Sequence, residues 1–402
     1  MKWLKRFSTY QLGIFLSASS MAFGLLREFM IIGLLGFSVK NDLLQVYLSI
    51  FYTIGLMIDA MRLSCLNLFS LLSLLQIIIS ASLVSFPFVI LIGLVMNYFT
   101  GGLDYLLLSI TIVGSFLNLI AALLITYKQR NNVFLGAQII NVLPNFILIP
   151  GIILCYFFGK KNMIFSIVTL TSLIPVAQCI LLLCLPEPIQ ENKKTKTGNF
   201  IDTILIFYRH FFSMIGEQLF QIITRSAFYQ FGTGYLSLLT LSVRIYSAFR
   251  FILIDSYIGS KLFSWNKLSN PENDYLLKLI QSNLLNCFIA VIAFLVSIKN
   301  VNQLTHACIQ IISLLLIGFY FSTLVRIVYF KINRYENNPQ LVLRFGFYEL
   351  LFAGFAYSIT QFAPHSIFIL LWIGLIAKPL TQLLLLRKRF VSIPLTPTSV
   401  SA

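Results

Sequence analysis

Charge is what this chain has least of. Only 10% of its 402 residues are charged and only 13 are acidic, whereas 58% are hydrophobic; soluble domains run about 25% charged and about 45–50% apolar. A water-soluble fold is excluded, and a polytopic membrane protein is what remains. Histidine is almost absent. His210, His306 and His365 fall on separate segments with no partner spacing, so metal ligation and nucleophilic catalysis have no residue set to work with. The six cysteines, Cys65, Cys155, Cys179, Cys184, Cys287 and Cys308, form no CxxC pair. They read as small core residues rather than as a disulfide framework or a zinc site.

Long apolar runs are what the chain has in abundance. With about 20 apolar residues needed to cross the hydrocarbon, twelve spans are expected, at 8–36, 42–62, 68–97, 103–126, 132–158, 163–185, 209–232, 236–262, 275–297, 303–328, 342–361 and 365–386. The opening MKWLKRFSTYQLGIFLSASSMAFGLL has a basic start, but its apolar run is too long for a usual signal sequence and no cleavage site follows, so it is read as the first span. The most polar stretch, PEPIQENKKTKTGNF at 186–200, separates an N-terminal six-helix lobe (1–185) from a C-terminal one (201–390). Residues 391–402 read as a disordered tail behind the basic RKR anchor. The fold class expected is all-α, with about twelve transmembrane helices in two six-helix lobes.

The formal charge of +16 would suggest nucleic acid in a soluble protein, but here it is distributed by topology. Nineteen Lys and Arg residues fall on one side of the expected spans, and only Lys40, Lys160, Lys161 and Lys299 on the other. Both termini are therefore expected in the cytoplasm, with the protein multi-pass in the cytoplasmic (inner) membrane. The loops on the opposite side are all short. A polysaccharide polymerase or other membrane enzyme, which would be expected to offer a sizeable outer loop with paired Arg or acid residues, finds none here.

The two halves align internally. Matching LREFMIIGLLGFSVKNDLLQVYLSIFYTIGLMIDAMRLSCLNLF to TRSAFYQFGTGYLSLLTLSVRIYSAFRFILIDSYIGSKLF places Arg27 on Arg225 and Asp59 on Asp255, with Arg–Asp intervals of 32 and 30 residues. Such an internal repeat, with a site between the lobes, is a common plan for secondary transporters.

Charges within spans are expensive, roughly 2.5–3.5 kcal/mol for an Arg at the helix centre on insertion scales, and they mark functional sites by default. They collect in the first, second, seventh and eighth spans. Ser17, Ser20, Gly24 and Arg27 follow steps of three and four, as do Tyr52, Gly55, Asp59 and Arg62, which keeps each set on one helix face. Ser213, Glu217, Gln221 and Arg225 form a slowly drifting stripe, and Arg244 and Asp255, three turns apart, share a face from which Arg250 points about a third of the way round. Two readings stay open for several of these. Asp59 with Arg62 and Glu217 with Gln221 can satisfy one another within a helix, and Arg62 can snorkel to the membrane edge. Glu217 reads either as a counter-ion or as a coupling site. Arg27, Arg225 and Arg244 lie deeper, with only Glu28 nearby in sequence, and an excess of Arg over carboxylate favours an anionic ligand such as phosphate. Pro144, with Gln138, Asn141 and Asn145, is expected to kink the fifth span, its freed backbone groups covered by neighbours.

LREFMIIGLLGF, the short turn after it and YLSIFYTIGLMIDAMR resemble the opening helix pair of the multidrug/oligosaccharidyl-lipid/polysaccharide transporter superfamily, and within it of the flippases for lipid-linked O-antigen or exopolysaccharide units. GEQLFQIITRSAFYQFGTGYLSLLTLSVRIYSAFRF resembles that superfamily's seventh and eighth helices, and NNVFLGAQIINVLPNFILIPGIIL its fifth. The resemblance implies two lobes opening alternately to each face, with a cationic cavity holding the diphosphate of a polyprenol-linked saccharide. Arg27, Arg62 and Arg244 match positions at which these proteins place cavity cations. The substrate-binding set expected is Arg27, Arg62, Arg225, Arg244 and Arg250, and the coupling or counter-ion set is Glu28, Asp59, Glu217 and Asp255. No cofactor is expected beyond H+ or Na+ for coupling. The partners are the lipid-linked oligosaccharide, membrane lipids and polysaccharide polymerase and chain-length machinery, with no nucleic acid. Lipid II flippases usually carry two further helices after the twelfth, so an O-unit or exopolysaccharide repeat is expected in preference. A lipid II flippase and a multidrug or metabolite exporter of the same fold are the competing readings.

Overall fold

The computed structural model describes residues 9–52, 74–130, 134–158, 162–185, 200–250, 306–318, 321, 339–362 and 367–390. All regular structure among them is helical. In chain order the helices are α1 (Thr9–Leu35), α2 (39–52), α3 (Leu74–Thr100), α4 (Tyr105–Arg130), α5 (Phe134–Phe158), α6 (Met163–Cys184), α7 (Phe200–Phe231), α8 (Tyr235–Arg250), α9 (His306–Gly318), α10 (Pro339–Phe362), α11 (Ile367–Trp372) and α12 (Lys378–Phe390). A π-helical turn, Ile373–Ala377, joins the last two. Six of the described helices are long and apolar enough to cross a membrane. Asp59, Arg62, Asp255, the expected ninth span and the 391–402 tail lie outside the described residues, as does the linker apart from its last residue.

Helices α3 to α6 pack on one another, with α1 laid along α5. Helix α7 packs along α10 and touches α11. The two sets meet where α1 crosses α8 and α3 runs beside α7. α7 starts at Phe200, earlier than the hydropathy limit of 209, because no Pro or Gly interrupts the chain before Gly216. At 32 residues it is about 48 Å long, well beyond a hydrocarbon core of about 30 Å. α10 likewise begins earlier than hydropathy places it, at Pro339, a residue suited to a first helical turn.

Proline bends α5 at two places, Pro144 and Pro150. Pro144 has no N–H for the carbonyl four residues back, which is that of Ile140. Gln178 of α6 supplies the missing donor, its Nε2 reaching the Ile140 oxygen at 2.9 Å. Replacing it, Gln178→Leu, strands a buried carbonyl and is expected to destabilise the protein by about 1–3 kcal/mol. A lowered melting temperature of the detergent-purified variant checks this.

At the end of the bundle that holds the 36–38, 101–104 and 232–234 turns, the two sets of helices are tied together. Asp42 of α2 is buried and accepts hydrogen bonds from Gly234 N at 2.5 Å, Ser237 N at 2.8 Å and Ser237 Oγ at 2.6 Å. It thus caps the start of α8 from another helix, where unpaired N–H groups and the positive end of the helix dipole lie. Gly234 has φ +86°, and a Cβ there would come within 2.7 Å of Phe37 Cβ, so only glycine fits. Beside it, Gln230 Nε2 donates to the Phe99 carbonyl at 2.7 Å and Ser226 Oγ meets Met96 Sδ at 3.4 Å, joining α7 to α3.

Candidate functional site

The site grows from two consecutive residues of α1. Arg27 and Glu28 are 3% and 1% exposed, although neighbours in a helix point about 100° apart. Eight residues below Leu35, they sit about 12 Å down from the capped end, near mid-depth of a bilayer. Arg27 Nη2 donates to Glu28 Oε1 at 2.8 Å, and its Nη1 to the Tyr52 hydroxyl of α2 at 2.8 Å. Glu28 Oε2 accepts Gln45 Nε2 at 3.2 Å, and Gln45 leans in turn on Asn41 at 3.4 Å. Arg27 Nε is buried without a hydrogen-bond partner among the described residues.

α8 brings a second guanidinium to the same carboxylate. Arg244 Nε lies 3.6 Å from Glu28 Oε1, and its side chain is 34% exposed. The guanidinium carbons of Arg27 and Arg244 stand 5.5 and 5.4 Å from the centre of the Tyr52 ring, so one aromatic face region attracts both cations. Arg225 of α7 is half-buried and close enough to Arg244 for their charges to repel. The described residues therefore set two arginines on one carboxylate and a third beside Arg244, with a net formal charge of +2. Ordinary burial of a charge demands a partner for it. Here the count is left positive, and an anion is what would balance it.

The other expected residues divide. Ser20 and Gly24, on the step that leads to Arg27, face α5 instead: Asn145 Nδ2 donates to Ser20 O and Oγ at 2.9 and 2.8 Å, and both ends of the Asn145 amide lie against Gly24. Ser20 is a heptad before Arg27, only about 20° around the axis but about 10 Å along it, so the two meet different neighbours because of their height on α1. Arg250 ends α8. Glu217 is half-buried on α7 and belongs to a second group that the sequence reading missed. There Glu349 of α10 pairs with Lys378 of α12 at 2.8 Å and accepts Gln382 Nε2, all three buried. Two lone charges in long apolar runs were the available signal. They are 29 residues apart on different helices, so no spacing rule joins them.

No family model matches the chain at the level of sequence, and no curated protein matches it. Among solved structures, the lipid II flippase MurJ in an inward-closed conformation is similar with a TM-score of 0.68 and 16% identity, over 94% of this chain and 89% of that one. A multidrug resistance MATE family transporter of the MOP superfamily, in an inward-facing conformation, aligns over 98% and 96% with a TM-score of 0.49 and 13% identity. The chain thus has an all-helical, multi-pass membrane fold like that of MurJ.

Proposed function

We propose that this protein is a flippase that moves a polyprenyl-diphosphate-linked oligosaccharide unit, of the O-antigen or exopolysaccharide kind, across the cytoplasmic membrane by alternating access. The observation that carries the reading is the pair Arg27 and Arg244 on the single carboxylate of Glu28, with Arg225 beside Arg244. Guanidinium forks suit phosphate oxygens, and a diphosphate supplies the two negative charges this group lacks. The fold agrees with a flippase reading, since the similar solved structure is that of a lipid II flippase. Roles divide by exposure. Arg27 is spent on Glu28 and Tyr52 and fixes the geometry, whereas the half-buried Arg244 and Arg225 are the members that meet the ligand. Two six-helix lobes, both termini in the cytoplasm, rock against each other, parting the tied end in one of the two states, so that the head group passes while the prenyl chain stays in lipid. An exporter of cationic drugs would need the opposite balance of charge at this site.

The test is native mass spectrometry of the purified protein together with export of surface glycan in a strain lacking the gene. Wild type is expected to retain a polyprenyl diphosphate saccharide and to restore export. Arg244→Ala and Arg225→Ala, expressed to the same level, are expected to lose the adduct and at least about tenfold of the export, the equivalent of one charge-assisted contact at about 1.4 kcal/mol or more. Export at the wild-type level by both variants would sink the proposal.

A further inference from the structure

A groove on the outside of the bundle belongs to neither charged group. It lies where the two sets of helices meet, lined by α3 from one and by α7 and α10 from the other, and it holds about 560 Å³. That volume is within the range of small-ligand sites, about 300–1,000 Å³. Ile223 of α7 and Ala353 of α10 are buried at its floor, whereas Leu94 and Tyr98 of α3 and Tyr357 of α10 are exposed at its rims. Every side chain that lines it is apolar apart from the two tyrosine hydroxyls. Small residues on a membrane helix usually let a second helix approach closely. Gly354 of α10 faces open space instead, since an added Cβ would meet no atom of the described residues within 4 Å.

Depth and direction say what fills it. Tyr98 is two residues short of the end of α3 at Thr100 and Leu219 twelve short of the end of α7 at Phe231, so the groove runs from about 3 Å to about 18 Å beneath the tied end. A hydrocarbon core is about 30 Å thick, and the groove therefore has the length of one leaflet. Its tyrosines stand at headgroup level, where amphipathic rings collect. A concave apolar surface at this depth is filled by hydrocarbon rather than water. The arginine site is on the other side of α7: at 100° per residue, Arg225 points about 140° away from the line midway between Leu219 and Ile223. A chain whose head group sat on Arg225 and Arg244 would have to pass around the helix to reach the groove. Residues 94–102 and 350–362 carry no Lys, Arg, Asp or Glu, so the groove takes a chain without selecting a charged head group. At its upper end the two walls already touch, with the Phe99 ring edge-on to Tyr357 at 5.9 Å.

We propose that this groove binds one acyl chain of a membrane phospholipid, which bridges α3 of one set of helices to α7 and α10 of the other. The proposal does not depend on the cargo assigned above. For the test, the protein is reconstituted in phosphatidylcholine vesicles doped with a phosphatidylcholine that carries a diazirine midway along one acyl chain, irradiated, digested and read by mass spectrometry. Phe157 of α5 and Leu183 of α6, both exposed, sample the bulk lipid. Adducts on the groove segments of both α3 and α10 are expected at about five times that reference, a preference of about 1 kcal/mol. Gly354→Phe from α10 and Leu94→Trp from α3 each fill the groove and are expected to bring its labelling down to the reference, while Gly354→Ala leaves room and keeps it. Groove labelling no higher than the reference, or unchanged in both filled variants, would overturn the proposal. Displacement of the label by an added polyprenyl diphosphate would do so by giving the groove to the cargo tail. A cross-link between two protein chains in place of the lipid adduct would make it a face between copies and would overturn the proposal as well.

Discussion

Glu28→Leu is expected to be the most damaging single change in the described protein. It removes the carboxylate that holds two guanidiniums, and it leaves Arg27 buried with the Tyr52 hydroxyl as its remaining partner. Breaking one side of a buried pair costs about 3–5 kcal/mol, because the other charge stays desolvated. The variant should therefore fall in abundance and in melting temperature in detergent, and transport should be lost. The paired change Arg27→Leu/Glu28→Leu separates structure from function. It removes both charges, and well-packed apolar replacements of a buried pair are often neutral or better for stability. We expect it to regain most of the melting temperature while export stays absent, because Arg244 has lost the anchor that positions it. Recovery of export along with stability would show that the cluster is only a clip between α1, α2 and α8.

How much of this was legible beforehand depends on which helices have to meet. Arg27, Arg225 and Arg244 stood out because a charge inside an apolar run is costly wherever the helix goes. The Arg27–Glu28 bond did not, since adjacent residues on a helix do not face each other. They meet because both side chains are confined in one gap closed by Tyr52 and Gln45 of α2 and by α8. The Glu349–Lys378 pair was missed for the complementary reason. Each residue is a single charge in an ordinary span, and only the packing of α10 against α12 makes them a unit. Pro144 shows what local chemistry can fix: an unmade hydrogen bond in the helix was certain from the residue itself. Its donor, Gln178, lies one helix further on and was not. The expected repeat rests on Asp59 and Asp255 as much as on the arginines, and both lie outside the described residues.

Asp42 was likewise hidden, reading as a polar residue beside a turn, and it leads to the second large effect. The start of α8 reads GTGY, with glycine at the position where a capping Ser, Thr, Asp or Asn is usual. A helix that cannot cap itself must find acceptors elsewhere, and the backbone of Gly234 and Ser237 finds them on α2. The cap is thereby also a tie between the two sets of helices, one that an alternating-access protein would have to break to open this end. Asp42→Ala removes the acceptor for all three donors. Losing a cap of this kind costs about 2 kcal/mol, which corresponds to a roughly thirtyfold change in the balance between tied and parted states. Spin labels at Lys40→Cys on α2 and Thr233→Cys before α8, with the six native cysteines replaced, report that balance as a distance distribution. A longer-distance population should grow in Asp42→Ala. Asp42→Asn, whose amide keeps one acceptor oxygen but turns an N–H toward the α8 donors, should fall between the two. Identical distributions in all three proteins would mean that the Gln230–Phe99 and Ser226–Met96 contacts of α7 with α3 hold this end closed without Asp42.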